Sequence, residues 1–365
     1  MNFEFSEDQQ FIRDQARTFL SQESSPAVVR SILDTDEPYH RELWNKMVEL
    51  GWTAMAIPES YGGLGLGYLE LCVIAEELGR SLAPVPFSSS VYLATEALLD
   101  WGSEEQKQHF LPKLAAGELI GTLATSEGLG RLNIKASVKD GRLSGTKLPV
   151  PDGDIADFAI VIANDESGTP ASYLVDLDEA GVDRQPLTSI DPSRSQAKLH
   201  FHDAPATLLG DSHGIARLDA LLNKAAVLLA FEQVGGCQAA MDMGMAYTKQ
   251  RYAFGRPVAS FQAIKHKFAD MFVALELAKT NAYYGAWALS TAAPDLPLAA
   301  ATARVSATDA YYQISKENIQ AQGGMGFTWE FNCHLYYRRA QLLSSTIGGL
   351  PQWKESLVTH LLSAS

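Results

Sequence analysis

Four stretches of this 365-residue chain carry residue types that could do chemistry. In "QRYAFGRPVASFQ", residues 250–262, Arg251 stands ahead of a Gly255-Arg256-Pro257 turn. A guanidinium so placed can make paired hydrogen bonds to phosphate oxygens; the plainer reading is a surface arginine at a helix end. In "QAQGGMGF", residues 320–327, Gly323 and Gly324 let backbone N–H groups come close to a ligand, and they suit a helix C-cap equally well. No strand precedes them and no βαβ unit surrounds them, so this is not a dinucleotide fingerprint. In "LHFHD", His200 and His202 share one face of a strand beside Asp203; no third ligand converges, which leaves a surface pair and no metal site. Glu232 is a carboxylate in a long apolar helix. It reads as a bundle carboxylate paired with a nearby cation or backbone donor, with a proton-abstracting base as the alternative. A further stretch, "SSTIGGLPQW" at 344–353, carries no charge at all, and its Gly348, Gly349 and Pro351 stop a helix.

The elements that must position these residues fall into three runs. Residues 1–118 read as helical: Ser6 caps "EDQQFIRDQARTFLSQ", Ser103 caps a helix with two acids in its first turn, and "YHRELWNKMVELGW" repeats apolar residues at helical steps. Residues 119–209 switch to short, β-branched or alternating segments split by Gly, Pro, Asp and Asn, which predicts an antiparallel barrel or sandwich. Residues 210–365 return to long helices, predicting an antiparallel four-helix bundle. The fold class is therefore mostly α with a central β domain.

Composition sets the bounds. With 46% hydrophobic and 20% charged residues, the chain can bury two or three packed units. A formal net charge of −14 argues against nucleic acid or an anionic membrane as partner, but leaves room for an anionic cofactor held by a few donors. Cys72, Cys237 and Cys333 are far apart and predict reduced thiols in a cytoplasmic protein. The acidic N-terminus has no secretory h-region, and the apolar "AAVLLAF" between Lys224 and Glu232 is too short to span a bilayer.

The order of these runs, with "PESYGGLGLGYLEL", "GSEEQKQHFLPKLAAGE", "QRYAFGRPVASFQAIKHKFADM" and "QAQGGMGFTWE", resembles the acyl-CoA dehydrogenase family over essentially the whole chain. The resemblance implies FAD as cofactor and oxidation of an acyl-CoA substrate to the 2,3-enoyl-CoA. A carboxylate there takes the proton next to the thioester while the flavin accepts hydride. It assigns Arg251 to the FAD pyrophosphate, Phe254 to the flavin tail and Gln262 to a hydrogen bond with the cofactor. Gln320, Gly323 and Gly324 would line the tail of a neighbouring subunit's FAD. It also implies an electron-transfer flavoprotein as electron acceptor.

Other family positions are altered. The motif that meets the flavin ring reads "TSEGLGRLNIKA" here, with only Glu127 plainly kept, and Pro149 and Pro151 replace a Trp and a Thr in "TKLPVPDGD". The family's base positions fall on Ala225 and Ile347, neither of which can take a proton. Glu232 lies on nearly the same helix face as Ala225 but roughly 10 Å further along the axis, which makes it a weak candidate base. The expectation is a subunit that lacks the base and completes the FAD site of a homologous partner in a hetero-tetramer. The alternatives are a self-sufficient homo-oligomer with a relocated base, Glu232 or Glu127, and a non-enzymatic scaffold of the same fold.

Overall fold

The computed structural model describes residues 5–35, 37–128 and 133–363. Among the described residues six α-helices come first: α1 (Glu7–Glu23), α2 (Pro26–Leu33), α3 (Arg41–Glu49), α4 (Tyr68–Ser81), α5 (Glu96–Trp101) and α6 (Glu104–Ala115). Both predicted serine caps form capping boxes. Ser6 and Gln9 exchange side chain and backbone bonds at the start of α1, and Ser103 and Gln106 do the same at α6.

Strands β1 (Gly121–Ala124), β2 (Ser137–Lys139), β3 (Arg142–Pro151), β4 (Phe158–Asn164), β5 (Pro170–Asp176), β6 (Val182–Pro186), β7 (Gln196–Pro205) and β8 (Thr207–His213) follow. They form one eight-stranded sheet in the order β6-β7-β3-β2-β4-β5-β8, with β1 added on β4. Most neighbours are antiparallel, as the alternating segments predict. The pairings of β1 with β4 and of β2 with β4 are parallel, so the sheet is mixed. β4 is buried along almost its whole length and reads as a continuous apolar run, as a strand covered on both faces must.

The remaining helices are α7 (Ala216–Gln250), α8 (Gln262–Ser290), α9 (Leu296–Ala321), α10 (Cys333–Ser345) and α11 (Leu350–Ser363). The four long helices of the sequence are present, and α11 adds a fifth directly after the Gly348-Gly349 stop. Among the described residues no helix is long and apolar enough to cross a membrane.

The chain packs as two compact units. One gathers Met1–Val29, Tyr68–Ala83 and Ala226–Ser365; the other gathers Arg30–Gly67 and Pro84–Ala225. In the first, α4 meets α7 at glycines. A Cβ on Gly79 would sit 1.8 Å from the carbonyl oxygen of Glu232, and one on Gly235 would sit 1.8 Å from that of Glu76, so any side chain there would force the helices apart. In the second unit, the sheet carries α6 against it through Phe110 and Phe158, whose ring centroids are 4.9 Å apart.

Candidate functional site

Arg251 follows the last residue of α7. Its backbone N–H donates to Tyr247 O at 2.9 Å, and its own carbonyl accepts from Val258 N at 2.8 Å. The residues between form a two-residue hairpin with Ala253 opposite Arg256. Phe254 and Gly255 both have positive φ, 53° and 79°, as a type I′ turn requires of its two central residues. The turn pushes the Phe254 ring out, leaving it 96% exposed. Behind it, the Arg256 guanidinium lies 4.0 Å from the centroid of Phe261, a cation–π contact that stiffens the turn. Gln262 opens α8, exposed, with its amide 3.1 Å from His266 Nε2.

The second stretch lies in the same unit. Gln320 is exposed in the last turn of α9, and Gly323 and Gly324 are exposed at the start of the turn Gly323–Phe327. Gly323 has φ 62°, so its backbone demands glycine. At Gly324 an added Cβ would meet nothing within 4 Å, so no internal packing accounts for that glycine. The stretches around Arg251 and Gly323 are tied through Tyr247 and Phe331, edge to face at 5.8 Å. Buried Asn318 and Gln322 reinforce the tie: Gln322 Nε2 donates to Asn318 Oδ1 at 2.7 Å, and Asn318 contacts Met243 of α7. The sequence reading missed Tyr247, Phe331 and Asn318. Only the helical spacing of Tyr247 ahead of Arg251 hinted at the first.

The two residues that the resemblance matches to the base, Ala225 and Ile347, have a different character. Ala225 is fully buried on α7. Ile347 follows α10 in the left-handed region, φ 57°, and Gly348 follows it at φ 107°. For a β-branched residue that backbone is a true outlier. It is held by Arg304, whose Nη2 donates to Leu343 O and, at 2.8 Å, to Thr346 O. Its Nη1 donates to Gln233 Oε1 at 2.7 Å, and Gln233 in turn donates to Thr308 at 3.1 Å. The uncharged stop at 344–353 is thus capped from α9 by a guanidinium, which suits the negative end of α10.

Glu232 lies in the same dry interior, 0% exposed, with Arg339 Nη1 at 3.5 Å from Oε1. Arg339 also donates to Leu82 O at 3.3 Å. Burial pushes the Arg304 guanidinium down to about 10, and the charge of Glu232 opposes that. One carboxylate therefore faces two buried guanidinium groups. Its place in the packing is that of a counter-charge, the plainer of its two sequence readings.

In the second unit, Glu127 is fully engaged. Its Oε1 accepts from Lys147 Nζ at 2.6 Å and Ala136 N at 3.0 Å, and its Oε2 from Lys135 N at 2.8 Å. Burial alone would raise this carboxyl; the three donors outweigh it and hold the group below the usual carboxylate range. Lys147, fully buried, is pushed down by desolvation against the pull of Glu127. The Glu127 segment continues into Leu129, Gly130, Arg131 and Leu132, which lie outside the described residues. Pro149 sits in β3 at a register shift between Lys147 and Val150, the irregularity a proline needs inside a sheet. His200 accepts or donates at 2.6 Å with Thr146 Oγ1, and His202 pairs with Asp183 at 3.2 Å. Each histidine thus has its own partner.

Comparison with known proteins matches residues 6–118 to the family described as acyl-CoA dehydrogenase, N-terminal domain, and residues 212–349 to acyl-CoA dehydrogenase, C-terminal domain. Acyl-CoA dehydrogenase IpdE2 of Mycobacterium tuberculosis is 32% identical over 344 residues, 93% of this chain and 94% of the relative. A chain of the ChsE4-ChsE5 complex from Mycobacterium tuberculosis superposes with a TM-score of 0.92 at 27% identity, covering 99% of each chain. A chain of a variant of the Tcur3481-Tcur3483 steroid ACAD superposes with a TM-score of 0.89 at 28% identity, covering 98% of each.

Proposed function

The chain belongs to the acyl-CoA dehydrogenase family of FAD-dependent oxidoreductases, and we propose that it is the subunit of a hetero-oligomeric member that completes a partner's FAD site without supplying the base. One contrast carries this reading. The residues matched to the FAD tail are exposed and grouped on one unit, whereas the residues matched to the base are Ala225 and Ile347.

The tail residues fit the cofactor. Arg251 offers a guanidinium to the pyrophosphate, and Phe254 offers an exposed ring. Gln262 and Gln320 offer amides, and the open space over Gly323 and Gly324 leaves their backbone accessible. The groups expected at the flavin ring do not fit. Glu127 is consumed by Lys147 and two backbone donors, and Pro149 and Pro151 have neither an indole to stack nor a hydroxyl to donate. When bound, FAD takes up hydride from the β carbon of the acyl group; this chain's part is to hold the tail. The α-proton goes to a carboxylate on the partner, a homologous chain, and the electrons pass on to an electron-transfer flavoprotein.

Two neighbours support a two-chain enzyme, since each is named by a pair of subunits, and one is described as a steroid ACAD. A CoA thioester with a steroid-derived acyl group is therefore the first substrate to try. The test is co-expression with homologous chains encoded nearby, followed by native mass and flavin stoichiometry. The expected result is one FAD per two chains, with no dehydrogenation by the isolated chain. Normal turnover by the isolated chain overturns the proposal. Glu232→Gln in the complex separates the self-sufficient alternative: unchanged turnover excludes Glu232 as base.

A further inference from the structure

A cavity of about 380 Å³ in the first unit lies apart from every residue assigned above. Its walls come from α1, α4, α7 and α8. Nearly all its lining is polar, so it does not suit an acyl chain. Most of its charges are already matched. Arg17 makes a two-pronged pair with Glu77 at 2.6 and 3.0 Å. Arg80 pairs with Asp242 at 2.9 Å. Lys279 donates to Glu276 at 2.9 Å and to Gln238 at 2.8 Å.

Two lining charges are left over. Glu76 is 8% exposed, and its Oε2 is buried with no hydrogen-bond partner among the described residues. Among the same residues Arg13 makes no hydrogen bond or ion pair, and its Nε is likewise buried without a partner. Burial, and then the like charge of Glu77, raises the Glu76 carboxyl above its ordinary value; Arg13 is near enough to oppose that electrostatically, yet the two make no hydrogen bond or ion pair with each other. A buried carboxylate without a donor is costly, and buried polar groups are otherwise almost always satisfied. Tyr283 completes the wall. Burial, and then the charge of Glu76, raises its hydroxyl above the ordinary phenol value, so it stays neutral and can donate or accept.

We propose that this cavity binds a small amino-acid zwitterion, its ammonium group on Glu76 and its carboxylate on Arg13. A carboxyl and a guanidinium held apart, neither with a hydrogen-bond partner among the described residues, form the complement of a molecule whose ammonium group would draw the carboxyl into its charged form and whose carboxylate would meet the guanidinium. Because the other charges are paired, a net-neutral ligand is favoured over a simple anion or cation. The volume lies within the range of small-molecule sites. The inference does not depend on the FAD reading, since none of these residues belongs to it.

The test is isothermal titration of the full chain near neutral pH with glycine, L-alanine and L-glutamate. Acetate and methylammonium serve as probes carrying one charge each. The expected result is saturable binding of at least one amino acid, with both single-charge probes at least tenfold weaker. Arg13→Gln and Glu76→Gln should each weaken the amino acid tenfold or more. Glu76→Gln keeps the side chain's shape, so a folding defect does not obscure the result. Failure of every amino acid to saturate at millimolar concentration overturns the proposal. So does acetate binding as tightly as glycine, which reduces the cavity to an anion site. Amino-acid binding that both substitutions leave unchanged overturns it as well.

Discussion

The surface around Arg251 and the interior around Arg304 belong to the same helical unit, yet they treat their polar groups in opposite ways. Around Arg251 the side chains project outward. Phe254 is almost wholly exposed, Gln320 is exposed and Gly324 faces open space, and the turn is held by backbone bonds and by Phe261, which meets both Arg256 and the edge of Phe254. Around Arg304 every polar group is turned inward. Arg304 donates to Gln233 and to the carbonyls that end α10, and Glu232 pairs with Arg339, in a largely buried interior. An exposed polar group is available to a ligand and contributes little to folding. A buried one whose partners lie inside the fold is committed to folding. The difference is why Glu232, buried beside Arg339, reads as a structural counter-charge, while an exposed surface arginine is the better functional candidate.

The contrast can be broken most strongly at Arg304. Arg304→Met leaves Gln233 Oε1 and two helix-end carbonyls without this donor, and removes a charge close to Glu232. It should destabilise the chain by about 3–5 kcal/mol, read from the denaturant midpoint. A loss under about 1 kcal/mol would mean the network is dispensable.

Arg251→Gln tests the opposite side. Stability should stay within about 0.5 kcal/mol, as for an exposed residue. FAD retention in the co-purified complex should fall tenfold or more, measured by dialysis and flavin absorbance. A stability loss with unchanged flavin content would invert the assignment.

Glu127 sharpens the comparison in the second unit. Its carboxyl is held below the ordinary value of 4.5, so its pairing stabilises the fold above that pH and is lost as pH falls through the lower folded value. Wild type and Glu127→Gln should therefore differ in Tm above pH 4.5 and converge in more acidic buffer. Parallel curves across that range would show that the pairing contributes nothing.

The smallest effect belongs to Phe254→Ala. With the ring 96% exposed, the isolated chain should lose no more than about 0.5 kcal/mol. Assembly with the partner, followed by analytical ultracentrifugation, should weaken.

Much of the fold was legible because the signals are local. The caps at Ser6 and Ser103 need a partner only three residues on, and the stop at Gly348-Gly349 is written in adjacent residues. The strand segments of the β region follow from alternation and turn residues. The parallel pairing of β1 with β4 does not, because two intervening strands decide which edges meet. The candidate site was proposed from its glycines and from Arg251, residues that adjoin short turns. Its supports were not, because Tyr247 meets Phe331, and Asn318 meets Met243, only after α7 and α9 have packed.

Sequence by itself determined the caps at Ser6 and Ser103, the succession of helical, β and helical runs, that Ala225 and Ile347 stand where the family resemblance expects a carboxylate, and that Arg251 leads into a turn. Those properties depend on residue chemistry and on neighbours within a helical turn. Tertiary structure alone decided that Glu232 answers to Arg339 and Arg304, that Glu127 is held by Lys147, and that Glu76 and Arg13 stay apart. Each of these depends on residues far apart in the chain meeting in a medium with little water. There the presence or absence of a single partner governs whether a charge is structural, reactive or waiting for a ligand.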